Sequence, residues 1–127
     1  MSASGDSDAI SNYFGRLHYA ATADFDLLQR AYQAAQRLNI NTIQGSVFST
    51  NTFYDAQPNR WDKWQKHGII GVEMESQILF TLAKRFNIKA LSILTVSDNI
   101  ITGEASSQKD REQSYSCLLY TSDAADD

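Results

Sequence analysis

The stretch between residues 69 and 98 constrains the fold of this chain most, because it alternates two kinds of apolar pattern. Residues 69–72 form a short apolar run that predicts a strand. Residues 74–86 carry apolar side chains at three- and four-residue spacing, which predicts an amphipathic helix. Residues 90–96 form a second apolar run and predict a buried strand.

The upstream part of the chain shows the same two patterns. Residues 24–38 predict an amphipathic helix, and Asp24 is a suitable residue to cap its start. Residues 42–49 alternate loosely and suggest a strand, and Trp61 and Trp64 lie three apart on a predicted short helix, where we expect them to serve packing. Helices and strands that alternate along the chain are typical of an α/β architecture with a partly parallel sheet.

Composition narrows the class of protein. The chain has 127 residues, 43% hydrophobic and 20% charged, with a net charge of -4, which indicates one globular domain. No basic stripe suggests nucleic-acid binding, and no apolar run approaches the ~18 residues of a membrane span.

A lone Cys117 fits a reducing compartment, so we expect a cytoplasmic location. His18 and His67 have no partner at metal-like spacing, so we expect no metal.

Two carboxylates, Glu73 and Glu75, interrupt an apolar stretch where the strand at 69–72 meets the helix at 74–86. Both oxygens of a carboxylate can accept hydrogen bonds at once, which suits adjacent sugar hydroxyls. The plainer interpretation is that both are solvated acids at a helix start, favoured by the helix dipole. The spacing leaves both interpretations open.

Asp98 directly follows the run at 90–96, and ligands of open parallel sheets bind beyond the carboxyl ends of the strands. As a general acid it would need its pKa raised from roughly 3.9 toward neutrality. It could equally be a turn or capping residue. Ser107 and Asp110 resemble a capping box and predict a last helix that carries Arg111. Because a neighbouring arginine favours the carboxylate, Arg111 would have to approach as the proton leaves.

Several linked motifs follow one another along the chain: Ala23-Asp24-Phe25-Asp26, Gly45-Ser46-Val47-Phe48-Ser49, Phe53-Tyr54, Gly71-Val72-Glu73-Met74-Glu75, Leu94-Thr95-Val96-Ser97-Asp98 and Arg111. In their order and spacing, between about Ser4 and Tyr115, they resemble the bacterial high-molecular-mass purine nucleoside phosphorylases.

The resemblance implies a three-layer α/β/α phosphorylase fold, phosphorolysis of purine ribonucleosides and deoxyribonucleosides, and a homohexamer. By resemblance, Asp98 protonates the leaving purine on its five-membered ring, and Arg111 assists that transfer. Glu75 and Met74 match the ribose contacts, and the base pocket is matched by Val72, Glu73, Phe53 and Ser97. Without the resemblance, Phe53 and Tyr54 could stack on a flat ring or belong to the core.

The resemblance also sets expectations about the extent of the domain. We expect residues 1–116 to be the C-terminal part of one phosphorylase domain, without its phosphate-binding first half, and residues 117–127 to be a non-native tail. Phosphate would be a co-substrate, and no cofactor is expected. The alternatives are a uridine phosphorylase or a nucleosidase of the same superfamily, or an inactive fragment that at most binds nucleoside or a partner subunit.

Overall fold

The computed structural model describes residues 1–52, 57, 59–105, 107 and 109. The chain divides into two compact units, Met1–Ser92 and Ile93–Asp127. The sheet and its flanking helices lie in the first unit. Within the described residues, no helix is long and apolar enough to cross a membrane.

In the described part of the chain, the sheet contains four strands in the order β2-β1-β3-β4. β1 pairs in parallel with β3, and β3 pairs in parallel with β4, whereas β2 is antiparallel to β1. The predicted partly parallel sheet is therefore confirmed. The strands are β1 (Ser2–Gly5), β2 (Ala21–Thr22), β3 (Ser46–Ser49) and β4 (Ile69–Glu73).

Within the described ranges, the main helices are α1 (Asp8–Tyr13), α2 (Phe25–Arg37), α3 (Arg60–Lys66) and α4 (Ser76–Arg85). Of these, α2 and α4 follow the periodic segments of the sequence. Asp24 caps α2 as predicted, since its carboxylate accepts a hydrogen bond of 2.9 Å from the Leu27 amide. Asn39 lies just beyond α2 with a φ of 55°, a left-handed conformation that asparagine tolerates.

Helices cover both faces of the sheet. Val47 and Phe48 are neighbours on β3, so their side chains point to opposite faces. Val47 joins a buried cluster with Phe80 of α4, and Phe48 contacts Trp61 and Trp64 of α3, at ring-centre distances of 5.5 and 4.5 Å. The sheet therefore lies between two helical layers, as a three-layer α/β/α fold requires. The two tryptophans serve packing, as predicted.

The strand predicted at residues 90–96 is wrong: these residues form no strand in the described structure. Ile93, Leu94 and Val96 are exposed by 63%, 48% and 79%. A strand needs a neighbour for its backbone groups, and apolar, β-branched composition does not supply one. The Ala90 carbonyl instead accepts a hydrogen bond of 2.8 Å from the Asp24 amide.

Other predicted boundaries shift. β3 is confined to Ser46–Ser49, so the prediction of a strand from residue 42 was too long. α4 begins at Ser76 rather than Met74, because Met74 and Glu75 form a bend between β4 and the helix. The sequence reasoning missed β1, α1 and β2, because the strands are short and β1 contains only Ser, Ala and Gly.

Candidate functional site

The carboxyl ends of the three parallel strands meet in one row. Gly5 of β1 pairs with Ser49 of β3, and Ser49 pairs with Glu73 of β4. We call this row and the residues that follow it the carboxyl edge. It is where open α/β sheets place ligands, because the loops beyond parallel strands diverge there.

The Glu73 carboxylate lies beneath the start of α4. One oxygen, Oε2, accepts hydrogen bonds from the amides of Glu75 at 2.9 Å and Ser76 at 2.6 Å. The other, Oε1, accepts a hydrogen bond from the Ser49 hydroxyl. Amides in the first turn of a helix have no partner within the helix, so Glu73 supplies an acceptor of favourable charge. Glu73 is thus a bound, half-buried helix-start acid rather than a solvated one.

Glu75 has different surroundings from Glu73. It is exposed, and within the described part of the chain its carboxylate accepts one hydrogen bond, from the Met74 amide at 3.3 Å. Met74 is also exposed, by 41%, and Val72 is half-buried on β4. The Glu75 carboxylate is therefore accessible to a ligand at the carboxyl edge, with capacity for further hydrogen bonds.

A third carboxylate at the carboxyl edge, Asp6, lies directly after β1. It accepts hydrogen bonds from the Thr50 hydroxyl at 2.9 Å, the Asn51 amide at 2.9 Å and the Arg60 guanidinium at 2.6 Å. Partial burial raises the pKa of Asp6, but the bonds from Asn51, Arg60 and Thr50 together outweigh it and lower the pKa below 3.8. Asp6 therefore ties the end of β1 to the segment after β3.

Asp98 and Ser97 lie in the second unit. The Ser97 hydroxyl donates a hydrogen bond of 2.7 Å to the Asp98 carboxylate. Asp98 pairs with Ala105 in an isolated antiparallel bridge that closes a turn, and Gly103 in that turn has a φ of 75°. Asp98 is exposed, whereas the general-acid role requires a carboxyl group shielded from water. Asp98 therefore lies at the base of a turn, as expected for the alternative in which it is a turn residue and not an acid.

The predicted site residues from Val72 to Glu75 lie together, because they form the end of β4 and the two-residue bend that leads into α4. Ser97 and Asp98 are neighbours in the second unit and do not follow a sheet strand, which corrects the reason for choosing Asp98. The predicted site residues Phe53 and Arg111 lie outside the described residues, as does most of the predicted last helix.

Sequence reasoning gave no role to Ser49 or Asp6. Ser49 became visible as a site residue only through its pairing with Glu73, which joins positions far apart in sequence. The sequence did contain a signal for this site, because a polar residue lies at the end of each of the two predicted strands. Ser49 is the last residue of the first, and Glu73 directly follows the second. Among the described residues, no cluster of three or more His, Cys, Asp or Glu side chains could hold a metal ion.

A partly parallel sheet between helical layers, with polar side chains at its carboxyl edge, defines the class of α/β domains that bind small ligands at that edge. The family model described as the phosphorylase superfamily matches residues 3–119. The chain belongs to this superfamily.

Curated relatives share between two fifths and one half of their aligned residues with this chain. A DeoD-type purine nucleoside phosphorylase of Thermoanaerobacter sp. (strain X514) is 44% identical over 115 residues, 91% of this chain and 49% of the relative. Proteins of the same name from Latilactobacillus sakei subsp. sakei (strain 23K) and Bacillus velezensis (strain DSM 23117 / BGSC 10A6 / LMG 26770 / FZB42) are 47% and 44% identical, each over 94% of this chain and 51% of the relative. The chain spans about half the length of these relatives.

Proposed function

We propose that the chain supplies the nucleoside-binding part of a purine nucleoside phosphorylase. The reaction converts a purine ribonucleoside or deoxyribonucleoside and phosphate into the free base and a pentose 1-phosphate. Three named relatives of this activity, each at least 44% identical, support the assignment. A homohexamer and a cytoplasmic location remain predictions from the resemblance and from composition.

The observation that carries this proposal is the exposed Glu75 carboxylate at the carboxyl edge. Its neighbour Glu73 is held by Ser49 and by two backbone amides, so Glu75 is the carboxylate of this pair with oxygens available to a ligand. Two adjacent ribose hydroxyls match a carboxylate that accepts two hydrogen bonds. Charge-assisted bonds of this kind contribute ~1.5–3 kcal/mol each.

The chemistry assigns one step to each reacting group. A phosphate oxygen forms a bond to C1′ of the sugar as the bond from C1′ to the purine nitrogen breaks, and the electron pair leaves with the purine. By the resemblance, Asp98 donates its proton to the five-membered ring and Arg111 approaches the carboxylate that remains. This role requires the bound purine and the rest of the enzyme to shield Asp98, which is exposed in this chain alone. The proton that phosphate loses then returns to Asp98. A well-placed acid of this kind accelerates such a step roughly 100- to 10,000-fold.

The test uses a hybrid protein. Residues 1–116 are joined to the part of the Latilactobacillus sakei protein that this chain does not match, and release of free base is followed with inosine, adenosine and uridine. We expect turnover of the two purine nucleosides that depends on phosphate. Turnover of uridine alone would indicate a uridine phosphorylase, and purine release that is independent of phosphate would indicate a nucleosidase. Either result would overturn the proposal.

A matched pair of variants attributes the activity to this chain. Glu75→Ala removes the proposed ribose contact, and Asp8→Ala removes another exposed acid at a helix start. We expect a loss of activity in the first variant and none in the second. An equal effect in both would show that Glu75 has no specific part in the reaction.

A further inference from the structure

The Ser49 hydroxyl uses its donor and an acceptor position at the carboxyl edge. It donates a hydrogen bond to Oε1 of Glu73, and it accepts one of 2.8 Å from the Gln77 amide. Ser49 is only 6% exposed, so water competes little for this hydroxyl. A buried hydroxyl with satisfied bonds fixes its partners more firmly than an exposed one.

Together, Ser49 and Glu73 bind three successive backbone amides. Glu73 accepts from the amides of Glu75 and Ser76, and Ser49 accepts from the amide of Gln77. These side chains come from the ends of two neighbouring strands, β3 and β4. We call this pair of side chains the Ser49–Glu73 clamp. It attaches the first turn of α4 to the sheet at residues 75, 76 and 77.

We infer that Ser49 is a positioning residue, which acts with Glu73 to hold the backbone at Glu75 so that the Glu75 carboxylate faces a ligand at the carboxyl edge. The clamp itself follows from the hydrogen bonds of the described residues, whereas its use in binding a sugar rests on the proposed function. Glu73 then acts through its carboxylate as part of the clamp, and Glu75 touches the ligand.

The surroundings of Glu75 explain why its backbone matters. The Glu75 side chain is exposed, and its carboxylate accepts one bond, from the neighbouring Met74 amide, within the described structure. No buried group therefore fixes its direction, and the backbone from which it projects must do so. Preorganised groups bind better because less conformational entropy is lost on binding.

The first experiment measures amide hydrogen exchange on the full chain, at a dilution where light scattering detects no aggregate. Ser49→Ala removes the hydroxyl of the clamp. The control is Ser46→Ala, which removes a hydroxyl at the opposite end of β3, where it is bonded to Ser2 of β1. We expect exchange at residues 75–77 to be about tenfold faster in Ser49→Ala and unchanged in the control.

A second variant decides the result if Ser49→Ala does not fold. Glu73→Gln keeps the size of the side chain but leaves one acceptor oxygen, which cannot serve both Ser49 and the amides of α4. We expect faster exchange at residues 75–77 here as well. Unchanged exchange in the folded variants, or the same increase in Ser46→Ala, would overturn the clamp.

The second experiment measures nucleoside KM and kcat in the hybrid protein. If Ser49 acts through Glu75, Ser49→Ala raises KM about tenfold in the wild-type background and changes little when Glu75→Ala is already present. An equal effect in both backgrounds would show that Ser49 only stabilises the fold. A hybrid without any phosphorolysis would contradict the proposed function, while the exchange experiment would still decide the clamp.

Discussion

Glu73 and Glu75 lie two residues apart, but their carboxylates have different surroundings. Glu73 is half-buried and bound by a hydroxyl and two amides, and Glu75 is exposed at the carboxyl edge. A difference of this kind separates a residue that holds the structure from one that can hold a ligand. The sequence alone assigned both residues the same alternatives, because spacing does not reveal hydrogen-bond partners.

In the hybrid protein, Glu75→Ala should raise the nucleoside KM and also slow turnover. The loss of a charge-assisted hydrogen bond costs ~1.5–3 kcal/mol, which corresponds to a change of more than tenfold. Glu75→Gln should be milder, because one acceptor oxygen remains. Steady-state kinetics with inosine give both constants. If both variants matched the wild type, Glu75 would be an ordinary solvated acid.

Asp98→Ala in the same hybrid should lose most of the turnover on adenosine, while nucleoside binding survives. Only the transition state needs the proton, so kcat falls and the dissociation constant changes little. Single-turnover kinetics and equilibrium binding separate the two quantities. Unchanged turnover with weaker binding would remove Asp98 from the role of the acid and leave it as a turn residue.

Asp6 predicts a pH-dependent contribution to stability. Its pKa in the folded chain is lowered from 3.8, so its contribution is fully present above that value and is lost as the pH falls through the lowered pKa. Asp6→Asn should therefore unfold at a lower temperature than the wild type at pH 7, and the gap should narrow below about pH 3.8. Thermal unfolding of the hybrid protein, with and without the substitution, at a series of pH values measures this gap. A gap that persists or widens in acid would contradict the account.

At the scale of elements, β1 and β3 approach closely at Gly5, where α4 covers them. A Cβ atom on Gly5 would lie 2.7 Å from the Ser49 carbonyl oxygen and closer still to Oε1 of Gln77. Gln77 can move, but the backbone of β3 cannot do so without disturbing the carboxyl edge. The contact between these strands therefore depends on a residue without a side chain.

Gly5→Ala should destabilise the chain by about 1–3 kcal/mol, the usual cost of overpacking. Gly71→Ala on β4 is the matched control, because its Cβ would meet Val47 at an ordinary 3.7 Å. Urea unfolding of both variants in the hybrid protein measures the difference in the free energy of unfolding. Equal effects of the two substitutions would show that the β1–β3 approach is not tight.

Elements with a strong local signal could be predicted from the sequence, and elements that depend on distant partners could not. The helical periodicity of residues 24–38 and 74–86 predicted α2 and α4, and the apolar run before Glu73 predicted β4. β2 has two residues and exists because β1 pairs with it, which no local pattern reveals. The prediction for residues 90–96 was wrong for the opposite reason. Their composition is typical of a strand, but among the described residues they pair with no other strand.

The same distinction applies to the candidate site. The glutamates were found because they interrupt an apolar run, a local signal. The Ser49–Glu73 clamp joins residues 24 apart in sequence, and Asp6 reaches Arg60 across 54 positions. These contacts follow from the order of the strands in the sheet.

At the scale of the whole molecule, large apolar side chains are exposed in both units. Leu82 and Phe86 of the α4 region are exposed by 47% and 66%, and Val96 by 79%. Apolar patches of this kind promote association when nothing covers them. The chain also spans about half the length of its relatives. The exposed apolar side chains favour association of the purified chain with itself.

We expect the purified chain to associate with itself as its concentration rises, and to unfold without a sharp transition. Removal of residues 117–127 should not worsen this, because their sequence offers no amphipathic face for packing. Light scattering and calorimetry measure association and cooperativity. A monomer that unfolds cooperatively would contradict this prediction, and a sharp loss of solubility on trimming would show that the tail contributes to the fold.

The identity of the sugar product decides whether the hybrid protein carries out phosphorolysis. The hybrid protein is incubated with inosine and phosphate, and the sugar is identified by phosphorus NMR and mass spectrometry. We expect ribose 1-phosphate in amounts equal to the hypoxanthine released, and a strong decrease of both in Glu75→Ala. Free ribose with hypoxanthine would show hydrolysis instead of phosphorolysis, and ribose 1-phosphate formed at an unchanged rate in Glu75→Ala would show that Glu75 has no part in the reaction.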